Sequence, residues 1–129
     1  MFGTSQAAAR ARYRNVDLGS KVEGASPHRL IGILYEELLK TLDAMTAAMA
    51  GDAPRATMPA RRARASSILL GLETSLDHAN GGELSAKLAL VYREARRLIG
   101  EGAARNDPQR IGQAREIVAE IAEAWNVIG

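Results

Sequence analysis

From Ala25 onward the chain repeats one pattern, an apolar residue followed three or four positions later by another. The stretch "ASPHRLIGILYEELL" (25–39) sets it: Ile31, Leu34, Leu38, Leu42, Met45 and Met49 recur at spacings of three and four, the period of one helix face. Ser26 offers an oxygen to an unpaired N–H, and Pro27 brings a pre-set φ and no N–H of its own. The first helix is therefore expected to begin there and to end near Gly51. "GDAPRATMP" (51–59) reads as a connection. A second helix is predicted with Ala65, Ile68, Leu72, Leu76 and Ala79 on its inner face, stopped by Asn80-Gly81-Gly82, residue types that tolerate the left-handed conformation of many helix ends. A third shows Leu84, Leu88, Val91, Ala95 and Leu98 and fades at Gly100 and Gly102. Asp107-Pro108 repeats the cap logic, and a fourth helix carries Ile111, Ala114, Val118, Ile121, Trp125 and Ile128.

Four amphipathic helices with short connections, and no competing strand alternation, predict an all-α fold, an antiparallel four-helix bundle over residues 25–129. Residues 1–24 differ. Tyr13, Val16, Leu18 and Val22 are scattered among polar residues, too sparse to fold alone, with a short helix expected near residues 7–13. They are read as an N-terminal arm.

Composition narrows the function classes. One domain fits 129 residues. The apolar share is 47% but the aromatic share only 4%, which favours close-packed Ala- and Leu-rich helices over a sheet. The absence of cysteine removes disulfides, thiolate metal ligands and thiol nucleophiles. Net charge is +2, and 14 of the 17 basic residues are Arg, a mild excess that does not itself mark a nucleic-acid protein. The N-terminus lacks the apolar core of a signal peptide, and no stretch approaches the ~20 apolar residues of a membrane span, so a cytosolic protein without membrane insertion is expected.

No catalytic constellation emerges. Glu36 and Glu37 are adjacent and point about 100° apart on a helix, so they cannot converge on one bond. No Glu-x-x-His motif supports a di-metal bundle, and no metal or cofactor is expected. Asp77-His78 raises the alternative of a histidine phosphotransfer bundle, although the dipole of a helix C-terminus would explain a histidine there equally well. "NGGE" follows no strand, so a phosphate loop has no supporting context. Arg55, Arg61, Arg62 and Arg64, and again Arg93, Arg96 and Arg97, raise a basic nucleic-acid-binding module as another alternative, without the interleaved aromatics that single-strand binding uses. What remains is a surplus of apolar residues beyond one core face: Ile33, Leu39, Leu70, Leu90, Tyr92, Ile117 and Val127. A wide core stripe absorbs some of these; a groove for an amphipathic partner segment is the other reading. Leu70, Leu90, Ile117 and Val127 are the candidate groove contacts.

The order of short motifs goes further. Tyr13, Val22, Ala25-Ser26-Pro27, Leu30-Ile31, Leu34-Tyr35, Ser75-Leu76-Asp77, Gly81-Gly82-Glu83, Val91-Tyr92, Arg96-Arg97-Leu98, Asn106-Asp107 and Ala124-Trp125 follow one another along almost the whole chain. This series resembles the FliS family of flagellar secretion chaperones. The resemblance implies a four-helix bundle with a small N-terminal cap, no enzymatic activity and no cofactor. It implies as ligand the C-terminal segment of flagellin, held so that it cannot polymerise early. It also implies that the arm of Tyr13, Val16, Leu18 and Val22 acts as a lid and as a contact for the flagellar export gate, on a free protein that is a monomer or weak dimer.

Overall fold

The structure, a computed structural model, describes residues 22–128. Four helices follow in order: α1 (Pro27–Met49), α2 (Met58–Thr74), α3 (His78–Arg105) and α4 (Pro108–Ile128), with a 3-10 turn at Arg55–Thr57 between the first two. Each helix packs on the one before it, and α4 returns to pack on α1. Among the described residues the backbones of the diagonal pairs stay apart, and only side chains meet across the centre. The bundle is therefore a four-membered ring of antiparallel neighbours, as the periodicity predicts. Its core is filled by Leu38, Leu42 and Met45 of α1, Leu69 and Leu72 of α2, Ile99 of α3, and Ile111 and Val118 of α4. Each such side chain contributes about 1.5–3 kcal/mol by leaving water.

Local chemistry sets the ends of α1 and α4. Ser26 Oγ accepts from the Arg29 N–H at 3.1 Å, with Pro27 in the first turn, and the chain leaves α1 through Gly51 at φ +86. Asp107 Oδ1 accepts from the Gln109 N–H at 3.0 Å, which starts α4. α3 runs past Gly100 and Gly102 to Arg105 and stops at Asn106, which takes the left-handed conformation at φ 52, ψ 46. The Asp107 N–H then bonds the Gly102 carbonyl at 2.9 Å, closing the helix end. Gly102 serves packing instead: a Cβ there would lie 2.7 Å from Ile111 Cδ1, so its bare backbone lets α4 approach. α2 begins at Met58, inside the expected connection.

The boundary between α2 and α3 corrects the sequence reading. Asn80-Gly81-Gly82 does not stop α2, which ends at Thr74, so Leu76 and Ala79 are not part of its inner face. Asp77 caps α3: one carboxylate oxygen accepts from the Asn80 N–H at 3.1 Å and the other from the Asn80 side-chain amide at 2.7 Å. These bonds hold the Asp77 carboxyl below the usual carboxylate range. The glycines fall within the first turns of α3, where Gly82 bends the chain at φ 52, ψ −127. That conformation belongs to glycine, so Gly82→Ala is expected to cost about 1–3 kcal/mol in chemical denaturation, with helicity retained.

Ala95 and Leu98 of α3 are buried as expected, but the first part of its inner stripe is rotated from the expected one. Ser85, Ala89, Tyr92, Ala95 and Ile99 face the core, while Leu84 is 64% exposed and Leu88 and Val91 lie half-buried at the edges. One position along a helix is about 100° around it, so a one-residue offset moves the stripe by that much. Tyr92 and Ile33, counted as surplus, are buried; Ile128, counted as core, is exposed. The last follows from helix length: Trp125 already lies beside His28 near the start of α1, so Ile128 projects beyond its neighbour.

Candidate functional site

The molecule has two unlike halves. The antiparallel ring gathers the start of α1, the end of α2, the start of α3 and the end of α4 in one half. Every exposed large apolar side chain among the described residues lies there: Leu30, Leu70, Leu84, Leu90, Val127 and Ile128. The opposite half is laced with ion pairs. Arg110 bridges Glu101 and Asp107, Arg97 holds Glu94 and Glu101, Arg115 holds Asp43, and Arg55 reaches the Asn106 amide oxygen. Such pairs contribute about 0–1 kcal/mol each to stability, but they make that end polar.

Within the apolar half a cleft of about 400 Å³ opens between α1 and α2, lined by Leu34, Ile68, Gly71, Ser67, Glu37 and Arg64. Its walls are apolar where Leu34 meets Ile68, and the Glu37–Arg64 pair at 3.3 Å bounds its polar end. On the next seam, Glu73 is held by Arg93 at 3.1 Å and Arg96 at 2.8 Å. Leu70 and Leu90 stand one turn from that clasp on α2 and α3. Glu36 is exposed while Glu37 turns into the α1–α2 seam, so the two carboxylates diverge as expected of neighbours on a helix.

Aromatic side chains stiffen the floor. The Tyr35 and Tyr92 hydroxyls are 2.6 Å apart inside the core, joining α1 to α3 across the ring. Trp125 stacks on His28 with ring centroids 4.5 Å apart, meets Tyr35 edge-on, and donates its indole N–H to the His28 carbonyl at 2.8 Å. It is half-buried, and as the single tryptophan of the chain it reports on this half alone. Sequence spacing identified Trp125 as inward-facing but missed the hydroxyl pair, because nothing local links residues 57 positions apart.

The four candidate groove residues do not line one groove. Leu70 and Leu90 are exposed on the adjacent helices α2 and α3. Ile117 is half-buried against the core on α4, and Val127 is 82% exposed near the end of that helix. α2 and α4 are diagonal, so Leu70 and Ile117 open on different sides. Leu30, Leu34 and Ile68 were not among the candidates; Leu34 and Ile68 have the spacing of core positions and were read so, and Leu30 entered only as part of the Leu30-Ile31 motif. Of the arm residues, Tyr13, Val16 and Leu18 lie outside the described residues. Val22 is half-buried and its carbonyl accepts from the Ala25 N–H at 3.0 Å.

His78 is exposed in the first turn of α3, not at the end of α2, so a helix C-terminus does not account for a histidine there. Both oxygens of its neighbour Asp77 are occupied by Asn80. Among the described residues no group of three His, Asp or Glu side chains is arranged to hold a metal ion, and no helix is long and apolar enough to cross a membrane.

Comparison with known proteins decides the family. The sequence profile described as "Flagellar protein FliS" matches residues 9–129. The chain belongs to the FliS family. It is 31% identical to the flagellar secretion chaperone FliS of Salmonella typhimurium over 116 residues, covering 90% of this chain and 86% of that protein. It is 30% identical to the FliS of Vibrio cholerae over 117 residues, covering 90% and 85%. It is 28% identical to the flagellar secretion chaperone FliSB of Pseudomonas aeruginosa over 123 residues, covering 93% and 94%. These relatives are named as chaperones, and none of the names describes an enzyme.

Proposed function

We propose that this chain is a cytosolic, non-enzymatic export chaperone that binds the C-terminal segment of a flagellin, keeps it from polymerising and helps deliver it to the flagellar export apparatus. The observation that carries the reading is the gathering of Leu30, Leu70, Leu84, Leu90, Val127 and Ile128 in one half of the bundle. A disordered segment that folds on contact needs apolar anchors spread over a wide surface, and the ordering cost moderates its affinity so that it can be released. The cleft between Leu34 and Ile68 offers a recessed anchor point and Leu70 and Leu90 a flatter one. The bundle of residues 25–129 does the holding. The arm of residues 1–24, through Tyr13, Val16, Leu18 and Val22, covers part of the apolar half in the free protein and is the natural contact for the export gate. The mechanism needs no cofactor, metal or nucleic acid, and the free protein acts as a monomer or weak dimer.

The test is a titration with a peptide of the C-terminal segment of a flagellin from the same organism, followed by calorimetry, helicity and Trp125 fluorescence. Saturation at one peptide per chain, a negative heat-capacity change, a gain in helix and a shift in Trp125 emission are expected. Absence of binding, both in the whole chain and after removal of residues 1–22, would overturn the reading.

A further inference from the structure

Two guanidinium groups share one carboxylate on the α2–α3 seam. Arg93 donates from Nε to one Glu73 oxygen at 3.1 Å, and Arg96 donates from a terminal nitrogen to the other at 2.8 Å. The clasp therefore carries a positive charge that Glu73 does not cancel. The next acids along α3 do not cancel it either, because Glu94 and Glu101 both face Arg97. Donors are left over as well. The terminal nitrogens of Arg93 make no hydrogen bond among the described residues, on a side chain that is 58% exposed, and Arg96 Nε is buried without an acceptor. This surplus does not stand on a polar surface. Leu70 lies one helical turn before Glu73, and Leu90 one turn before Arg93; both are exposed. A cation with unused donors thus adjoins two apolar side chains, one from each helix of the seam.

We infer that the Glu73–Arg93–Arg96 clasp receives the terminal α-carboxylate of the cargo chain, with Leu70 and Leu90 covering its last apolar side chains. The inference rests on the reading of the cargo as a flagellin C-terminal segment, and it names the group by which the end of that segment is recognised. Charge complementarity selects the occupant. A C-terminal segment ends in one carboxylate whatever its sequence, and one surplus charge matches one such group. Guanidinium donors meet a carboxylate in a planar, two-bond geometry, and the two terminal nitrogens of Arg93 form that fork. A segment that arrives as a helix also brings the negative end of its dipole and its unpaired last carbonyls to the same place. A free anion would use the fork and leave both leucines uncovered. The consequence is a preference for finished chains: a cargo still attached to the ribosome has no free carboxylate to offer.

The probes are two forms of the flagellin C-terminal peptide, one ending in the free acid and one in the amide, titrated against the whole chain. The amide is expected to bind about five- to tenfold more weakly than the acid, and the difference to shrink as salt rises. In Arg93→Gln the acid should weaken by the same factor while the amide is unchanged, so that the two forms bind alike. Arg96 stays on Glu73 in that variant, and an unaltered denaturation midpoint checks that the fold is intact. Arg105→Gln, exposed at the far end of α3, should preserve the preference for the acid. Equal binding of acid and amide to the parent chain would overturn the inference and leave the flagellin reading standing. Equal weakening of both forms by Arg93→Gln would overturn it too, because the cation would then be meeting a carboxylate within the segment. Binding of neither form would overturn the flagellin reading, and this inference with it.

Discussion

Replacing Tyr92 by Ala is expected to cost about 3–5 kcal/mol of folding stability, the largest single effect in the molecule. Two losses combine. A large aromatic side chain leaves a core with little room to relax, and the Tyr35 hydroxyl loses its partner 2.6 Å away. Tyr92→Phe isolates the second loss and should cost about 1–3 kcal/mol, the penalty for a buried polar group without a hydrogen bond. Tyr35→Phe/Tyr92→Phe together should cost less than the sum of the two single changes, because no orphan remains. The pair also makes stability depend on alkaline pH. Burial, then the neighbouring hydroxyl, pushes the Tyr35 phenol well above its ordinary value, and burial raises Tyr92. A group that holds its proton more tightly when folded stabilises the fold below its unfolded pKa of about 10, and that stability disappears as pH rises above it. Denaturation midpoints should therefore fall steeply above about pH 10, and less steeply in the doubly substituted chain.

The second large effect concerns cargo. Leu70→Glu and Leu90→Glu are each expected to weaken the flagellin peptide about tenfold, which is the transfer free energy of one partly covered Leu side chain. Both residues are exposed, so folding stability should stay within about 0.5 kcal/mol of the parent. That separation is what makes them better probes than Ile117, whose half-buried side chain supports the core. Undiminished binding in both variants would remove the α2–α3 side of the apolar half from the cargo surface.

The helix starts that rest on local chemistry were legible in the sequence. Ser26-Pro27 and Asp107-Pro108 announce α1 and α4 because the capping oxygen and the pre-set φ act within one turn. Gly82 was misread because a glycine that ends a helix and one that bends it differ only in what precedes them. Here Asp77 had already started the next helix through its bonds to Asn80. The face of α3 was misread for a different reason. Leu84, Leu88 and Val91 form as good a stripe as Ala89 and Tyr92 when spacing alone is counted, and only the later positions Ala95 and Leu98 are buried as read. The apolar surplus was legible as an amount, and Leu70, Leu90 and Val127 are indeed exposed. Which half of the molecule they occupy depends on the antiparallel ring, and a list of spacings does not contain that. The family resemblance was carried by the same short motifs that cap and join these helices.

The closure of the ring by its first and last helices has a consequence for biosynthesis. α1, α2 and α3 contact their neighbours along the chain, and such contacts form quickly because little chain must be looped. The seam between α1 and α4 is different: the Trp125–His28 bond joins residues 97 positions apart. While the chain is still emerging from the ribosome, α1 and α3 each present an uncovered edge where Ile111, Ala114 and Val118 will later sit. The half-made molecule is itself a sticky, aggregation-prone client. Its core is closed only when the final helix docks and the seam shuts.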